Sequence, residues 1–176
     1  MNLAIINRQR TKKINARPLR RIVGGLLTEL KITEAELGIQ LVGARAMAKV
    51  NWNFLRHEGS TDVITFNYGQ VVGKAAGPAC LPQEKQPDRR SACAINLHGE
   101  LFVCVDEAVA QAKQFGTSWQ SEVVRYVIHG VLHLLGHNDL QPGLRRRMKR
   151  AENRLVRLLG ERFSFAQLSA AAKLGA

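Results

Sequence analysis

The chain has 176 residues, and 26 lysines and arginines against 14 acidic residues give it a formal net charge of +12. This length predicts one ordinary domain with a sizeable core. No apolar run approaches the roughly 20 residues that a membrane span requires, so a membrane protein is not expected. The charge favours a polyanionic partner, with nucleic acid as the first candidate, and a basic surface without a specific partner is the simpler alternative.

The cysteines and the first residues of the chain indicate the cellular compartment of the protein. The three cysteines show no CxxC spacing, which indicates neither a disulfide framework nor a cysteine zinc site. The first 21 residues place a short apolar patch before basic residues, the reverse of a secretory signal. Both features favour a cytoplasmic protein.

The first part of the chain predicts strands that alternate with helices. A strand over 3–7 leads to a helix that starts near Pro18 and carries one apolar stripe. Residues 37–42 alternate between apolar and polar side chains, as in a short strand, and 44–55 have helical composition. Residues 61–68 are rich in β-branched and aromatic side chains and predict another strand.

A long irregular stretch divides the chain. Residues 69–93 hold many glycines and prolines and predict a loop or flexible insertion. Residues 94–105 then predict a buried strand, and a helix over 107–115 follows, closed by Gly116.

Two further helices complete the pattern. Thr117 and Gln120 resemble a capping box, and the helix after them has apolar residues at every fourth position, which predicts extensive burial. Pro142 and Gly143 predict a turn before a final amphipathic helix. Strands interspersed with helices predict a mixed α/β or α+β fold. We expect one domain over 1–163 and a C-terminal tail over 164–176.

The segment from His129 to Asp139, HGVLHLLGHND, is the most informative one. Histidines four residues apart on a helix, such as His129 and His133, project from one face and can share a metal ion. Gly136 can adopt the left-handed conformation that turns the chain back, so that Asp139 or His137 becomes the third ligand. Three protein ligands are typical of a catalytic zinc site. Hydrogen-bonded core histidines are the alternative.

Other residues near this segment refine the hypothesis. Glu122 lies two turns before His129 and is a candidate to hydrogen-bond a ligand histidine. Alternatively, it is an exposed glutamate of the first turn that the helix dipole favours. Gly130 occupies the position where HExxH proteases carry their glutamate base, which argues against a peptide hydrolase. Basic residues of the last helix predict an RNA-binding face, with a solvated face as the alternative; they are Arg145, Arg146, Lys149 and Arg150.

Three motifs together resemble a known family. The pattern His-Gly-x-Leu-His-Leu-Leu-Gly, followed by a third ligand, resembles the signature of the YbeY endoribonucleases. TDVITF at 61–66 is similar to the TDVLSF strand of that family, and Gly-Glu-Leu at 99–101 is similar to its Gly-Asp-Ile segment. The resemblance covers the chain from about Val50 to the last helix. It implies an α+β fold, in which about five helices cover a central mixed four-stranded sheet and a zincin-like helix holds the metal.

The resemblance also implies a function. Family members are single-strand-specific, metal-dependent endoribonucleases that act in 16S ribosomal RNA 3′-end maturation and ribosome quality control. We therefore expect Zn²⁺ or another divalent metal. The implied partners are RNA and the small ribosomal subunit, with an associated ribosomal protein or GTPase factor. The resemblance implies binding neither to a membrane nor to DNA.

Two positions depart from the family pattern. The family usually has histidine as its third ligand, and Asp139 cancels more of the metal's charge than an imidazole would. The family also places a functional arginine before Thr61, and Arg56 lies about one residue out of register. Arg56 is our candidate to neutralise charge on phosphorus, or else a solvated loop arginine. His57 is a candidate for proton transfer, or a simple turn histidine.

A second hypothesis is a non-catalytic ribosome-assembly factor whose metal only braces the helix. A coordination sphere filled by both His137 and Asp139 would favour this hypothesis, whereas an open position beside a basic cleft would favour the nuclease.

Overall fold

The computed structural model describes residues 1–69 and 95–170. The elements in chain order are β1 (Asn2–Asn7), α1 (Ala16–Glu29), β2 (Ile32–Val42), α2 (Ala44–Leu55), β3 (Val63–Asn67), β4 (Ile95–Cys104), α3 (Val105–Phe115), α4 (Trp119–Leu134), α5 (Pro142–Arg162) and a 3-10 turn (Phe165–Leu168). Apart from Gly69, the predicted loop over 69–93 lies outside the described residues. None of the helices formed by the described residues is long and apolar enough to cross a bilayer.

The four strands form one mixed sheet in the order β1-β2-β4-β3. β2 runs parallel to both β1 and β4, and β3 pairs antiparallel with β4 at one edge. The prediction of an α+β fold around a mixed four-stranded sheet is confirmed. β2 begins at Ile32, five residues earlier than expected, because the polar residues of its first half face solvent and weaken the apolar pattern.

The two faces of the sheet are covered unequally. Leu37, Leu101 and Val103 point into the main core, which they share with α1, α3, α4 and α5. On the other face, Ile64 and Cys104 pack against Met47 of α2 in a smaller cluster. Four helices therefore lie on one face and α2 lies on the other.

Two helix starts differ from the expectation. Ser118 caps α4, since its hydroxyl accepts a hydrogen bond from the Ser121 amide (3.1 Å), so the predicted capping box at Thr117 and Gln120 is wrong. Pro142 begins α5 rather than a turn before it. Proline is well tolerated at the first helical position because an amide there has no partner within the helix.

The chain after Ser164 packs back on the fold. Leu168 is fully buried, and its carbonyl accepts a hydrogen bond from the Asn15 amide at 2.8 Å. Ile14 and Ser169 form an isolated antiparallel bridge. The first residues of the predicted tail therefore contact the start of α1, and residues 171–176 lie outside the described part of the chain.

Candidate metal centre

Helix α4 directs two histidines to one point. The Nε2 atoms of His129 and His133 lie 3.1 Å apart, and the rings meet edge to face with centroids 4.6 Å apart. Two imidazole nitrogens bound tetrahedrally to one zinc ion, at roughly 2.0–2.1 Å each, would lie about 3.3 Å apart. The spacing of these two nitrogens therefore fits a shared metal ion.

The other ring nitrogen of each histidine has its own partner. Nδ1 of His129 lies 3.0 Å from a carboxylate oxygen of Glu152, and Nδ1 of His133 lies 3.0 Å from the carbonyl oxygen of His137. Both partners accept hydrogen bonds, so each ring carries a proton on Nδ1 and donates it. Such bonds to ligand histidines fix the ring orientation and leave Nε2 free for a metal.

The chain after α4 supplies the third group. Gly136 follows the helix with a φ of +87°, the left-handed conformation that was predicted for it. This turn brings Asp139 back, so that one carboxylate oxygen and one nitrogen of each histidine all lie within 4.8 Å of one another. The three side chains can therefore hold a metal ion. The ring of His137 does not belong to this group among the described residues, and burial together with nearby His133 lowers its pKa.

Glu152 of α5 is the residue that sequence reasoning missed. Its side chain is buried, one oxygen contacts His129, and the other accepts hydrogen bonds from Arg125 (2.6 Å) and Lys149 (2.9 Å). Burial alone would raise the pKa of this carboxyl, but the bonds from His129, Lys149 and Arg125 outweigh burial and lower the pKa to about 2. Glu152 is therefore ionised at neutral pH.

Glu122 does not make the expected contact with His129. It accepts a hydrogen bond from the Thr117 hydroxyl at 2.8 Å and forms an ion pair with Arg125 at 3.5 Å. One signal pointed to Glu152 instead. It is the acidic residue in the otherwise apolar stripe of α5, between Met148 and Leu155, and a charged residue in such a stripe needs a buried partner.

The electrostatic surroundings of His129 favour a cation. Burial lowers the pKa of His129, but the hydrogen bond to Glu152 and the nearby carboxylates of Asp62 and Asp139 raise it more, so the net shift is upward. Asp62 precedes β3, and its carboxylate accepts a hydrogen bond from the Val63 amide at 2.9 Å. Three carboxylates thus create a negative potential around this histidine.

Arg56 and His57 lie in the loop that leads to Asp62. Arg56 ends α2 with a φ of +57°, and both side chains are exposed. Among the described residues, neither side chain is hydrogen-bonded to His129, His133 or Asp139. Their catalytic roles stay predictions.

The four basic residues predicted to bind RNA are all exposed on α5. Two of them also contact the surroundings of the metal site. Nε of Arg145 donates to the carbonyl of Asp139 at 3.1 Å, and Lys149 bonds to Glu152. Arg146 and Arg150 make no side-chain hydrogen bond within the described part of the chain.

A solved structure resembles this fold along its whole length. A solution structure of a Thermotoga maritima protein superposes with a TM-score of 0.58 at 20% sequence identity, covering 99% of each chain. The likeness supports the fold described above.

Sequence comparisons give the family. An Endoribonuclease YbeY of Chlorobium phaeovibrioides is 33% identical over 118 residues, which are 67% of this chain and 64% of that protein. A Myxococcus xanthus protein of the same name is 33% identical over 136 residues, 77% of this chain but 40% of its own length. The matches to these two proteins thus span less than two thirds of their lengths, whereas a Salinibacter ruber relative, 27% identical, is matched over 89% of its length. The family model described as Endoribonuclease YbeY matches residues 4–160, and the chain belongs to that family.

Proposed function

We propose that this protein is a metal-dependent endoribonuclease that hydrolyses single-stranded RNA, with zinc as the first candidate metal. The observation that carries the proposal is the convergence of His129, His133 and Asp139 on one point, in a chain that belongs to the Endoribonuclease YbeY family. We further propose that it acts in the cytoplasm, on the 3′ end of 16S ribosomal RNA and in ribosome quality control. The small ribosomal subunit and its associated factors are the proposed partners.

The roles of the ligand residues follow from their contacts. His129, His133 and Asp139 would hold a divalent cation, which would supply a bound water whose pKa falls toward roughly 7 and a positive charge beside the phosphate. Glu152 holds His129 through its carboxylate, and the carbonyl of His137 holds His133. Both rings are thereby oriented before RNA binds, which lowers the reorganisation that catalysis requires.

The loop before β3 contributes the remaining proposed groups. Arg56 is exposed and carries a permanent charge, so it can neutralise the phosphate oxygens as negative charge develops on them. His57 is the proposed proton-transfer group, since an imidazole can both accept and donate a proton. Both residues precede Asp62, whose carboxylate acts on His129, so the loop leads toward the metal site.

The ligand His133 provides the direct test. We expect His133→Ala to lose both bound metal, measured by mass spectrometry, and cleavage of a single-stranded RNA, because one of three ligands is gone. The matched control is His98→Ala, which removes a histidine that pairs with Glu36 on the sheet face away from α4. Full activity in His133→Ala would refute the mechanism. Stoichiometric metal in the wild type without cleavage of any single-stranded RNA would instead support the assembly-factor hypothesis.

A further inference from the structure

A polar cavity lies away from the metal site, where the first turns of α1 meet the end of α5. Its volume is about 100 Å³, and its walls include Arg21 of α1 and Arg162, Phe163, Ser164 and Gln167. We call it the α1–α5 pocket. Arg162 lies ten positions after Glu152 in α5, which corresponds to about 15 Å along the helix.

The polar groups of the α1–α5 pocket are not engaged elsewhere. In the described part of the chain, neither Arg21 nor Arg162 forms a salt bridge, and the side chains of Ser164 and Gln167 make no hydrogen bond. No carboxylate lies among the residues that line the pocket. Two arginines, a serine and a glutamine without another polar side-chain partner among the described residues therefore border the same cavity.

One wall of the pocket is held by tight packing. The guanidinium carbon of Arg162 lies 5.7 Å from the centre of the Phe163 ring, a cation–π distance. That ring packs against Gly25 of α1 so closely that a Cβ on this glycine would lie 2.6 Å from a ring carbon. Because the ring cannot move toward α1, it offers a fixed surface beside the Arg162 guanidinium group.

The size and charge of the pocket specify the class of ligand. A cavity of roughly 150 Å³ holds benzene, so this smaller cavity can take the five heavy atoms of a phosphate group but cannot enclose a nucleoside. Two arginines without a carboxylate favour a doubly hydrogen-bonded oxyanion. We propose that the α1–α5 pocket binds a phosphate group, either free phosphate or a backbone phosphate of RNA bound along α5.

Inorganic phosphate is the first probe, and it is titrated into the full chain at constant ionic strength while amide NMR shifts are recorded. We expect saturable binding with shifts centred on Arg21 and residues 162–167. The double variant R21Q/R162Q should bind about tenfold more weakly or worse, since it loses two charge-assisted hydrogen bonds. The matched control is R45Q/K49Q, which removes the same charge from two exposed residues of α2 and should bind as the wild type does.

A second variant keeps the arginines in place. Gln167→Glu is nearly isosteric and brings a carboxylate to the wall of the pocket, so it should also weaken phosphate binding. Unfolding midpoints of all variants are compared, and we expect little change because the substituted side chains are exposed. Absence of saturation in the wild type, or equal losses in R21Q/R162Q and R45Q/K49Q, would overturn the proposal.

A single-stranded oligoribonucleotide distinguishes the two sources of phosphate, and this part of the experiment rests on the proposed function. Binding is measured in a His133→Ala background so that the RNA persists. If the pocket holds an RNA phosphate, inorganic phosphate competes, and R21Q/R162Q lowers the slope of log affinity against log salt by about 0.7 relative to R45Q/K49Q. If it holds free phosphate, the two double variants bind RNA alike. The inorganic phosphate titration is independent of whether the protein cleaves RNA.

Discussion

At the scale of single residues, Glu152 connects the candidate metal centre to the charged surface of α5. One oxygen bonds to His129, and the other bonds to Arg125 and to Lys149, which is otherwise exposed. A buried carboxylate with three cationic or protonated partners can orient the ligand, and these partners favour its ionised form in the folded protein.

Replacing this carboxylate should weaken metal binding. In Glu152→Gln the side chain keeps its size but loses its charge, so His129 is oriented less firmly. Loss of such a partner typically lowers metal affinity by about 10–100-fold. Metal affinity is measured by competition with a chelating dye, and Glu161→Gln, an exposed change on the same helix, is the control. Equal affinities in the two variants would show that Glu152 does not orient the ligand.

The pKa of Glu152 predicts how the metal-free protein responds to acid. Its folded-state pKa of about 2 lies below the ordinary value of 4.5. The stabilisation is therefore fully present above about pH 4.5 and is lost as the pH falls toward about 2. Urea unfolding across this range, in the presence of a chelator, should show a steeper loss of unfolding free energy in the wild type than in Glu152→Gln. Parallel losses in the two proteins would contradict the assignment.

At the scale of secondary-structure elements, the close approach of α4 to the sheet is set by Gly130. A Cβ on this glycine would lie 2.8 Å from a methyl carbon of Leu101 and 3.1 Å from one of Val63. The helix that carries both histidines therefore packs directly on β3 and β4, which form its rigid support.

Two glycine-to-alanine variants isolate this packing. Gly24 lies in α1, where an added Cβ would meet no atom within 4 Å, so Gly24→Ala should raise the free energy of unfolding by up to about 1 kcal/mol. Gly130→Ala has the same gain in helix propensity but overpacks the core, which costs about 1–3 kcal/mol. We expect Gly130→Ala to be less stable than Gly24→Ala by that amount in chemical denaturation. Equal stability would mean that the sheet accommodates the added methyl group.

The elements also show what the sequence could and could not predict. The bounds of α2, the end of α3 at Gly116 and the left-handed conformation of Gly136 were predicted correctly, because periodicity and turn preferences act over a few residues. The contact between Glu152 and His129 was not predicted, since it joins residues of two different helices that lie 23 positions apart in the sequence. A pattern along one helix gives the face on which a residue lies but not the partner that covers that face.

At the scale of the whole molecule, charge and topology separate the functional surfaces. The basic residues of α5 lie on the same side of the sheet as the metal site, whereas α2 lies on the opposite side. The net charge of +12 indicated a polyanionic partner, but only the fold shows which side of the sheet carries α5.

Salt dependence should identify the RNA-binding side. Arg146 and Arg150 are exposed and make no side-chain hydrogen bond within the described residues, so R146Q/R150Q removes charge without disturbing Glu152. The slope of log RNA affinity against log salt should fall by about 0.7 for each arginine that contacts a phosphate. R45Q/K49Q on α2 is the control, and fluorescence anisotropy at several salt concentrations gives the slopes. An equal effect of both variants would indicate non-specific charge attraction.

The packing of Gly130 also limits which reactions this scaffold can acquire. A side chain at this position would point into the sheet rather than toward solvent, since the nearest neighbours of its Cβ would be Leu101 and Val63. A glutamate introduced there, as in HExxH proteases, would be a buried and unpaired charge rather than a base beside the metal. A Gly130→Glu substitution alone therefore cannot supply the base of a peptidase. An enzyme that evolved from this fold toward peptide hydrolysis would first need smaller or polar side chains on the strands that pack against this position.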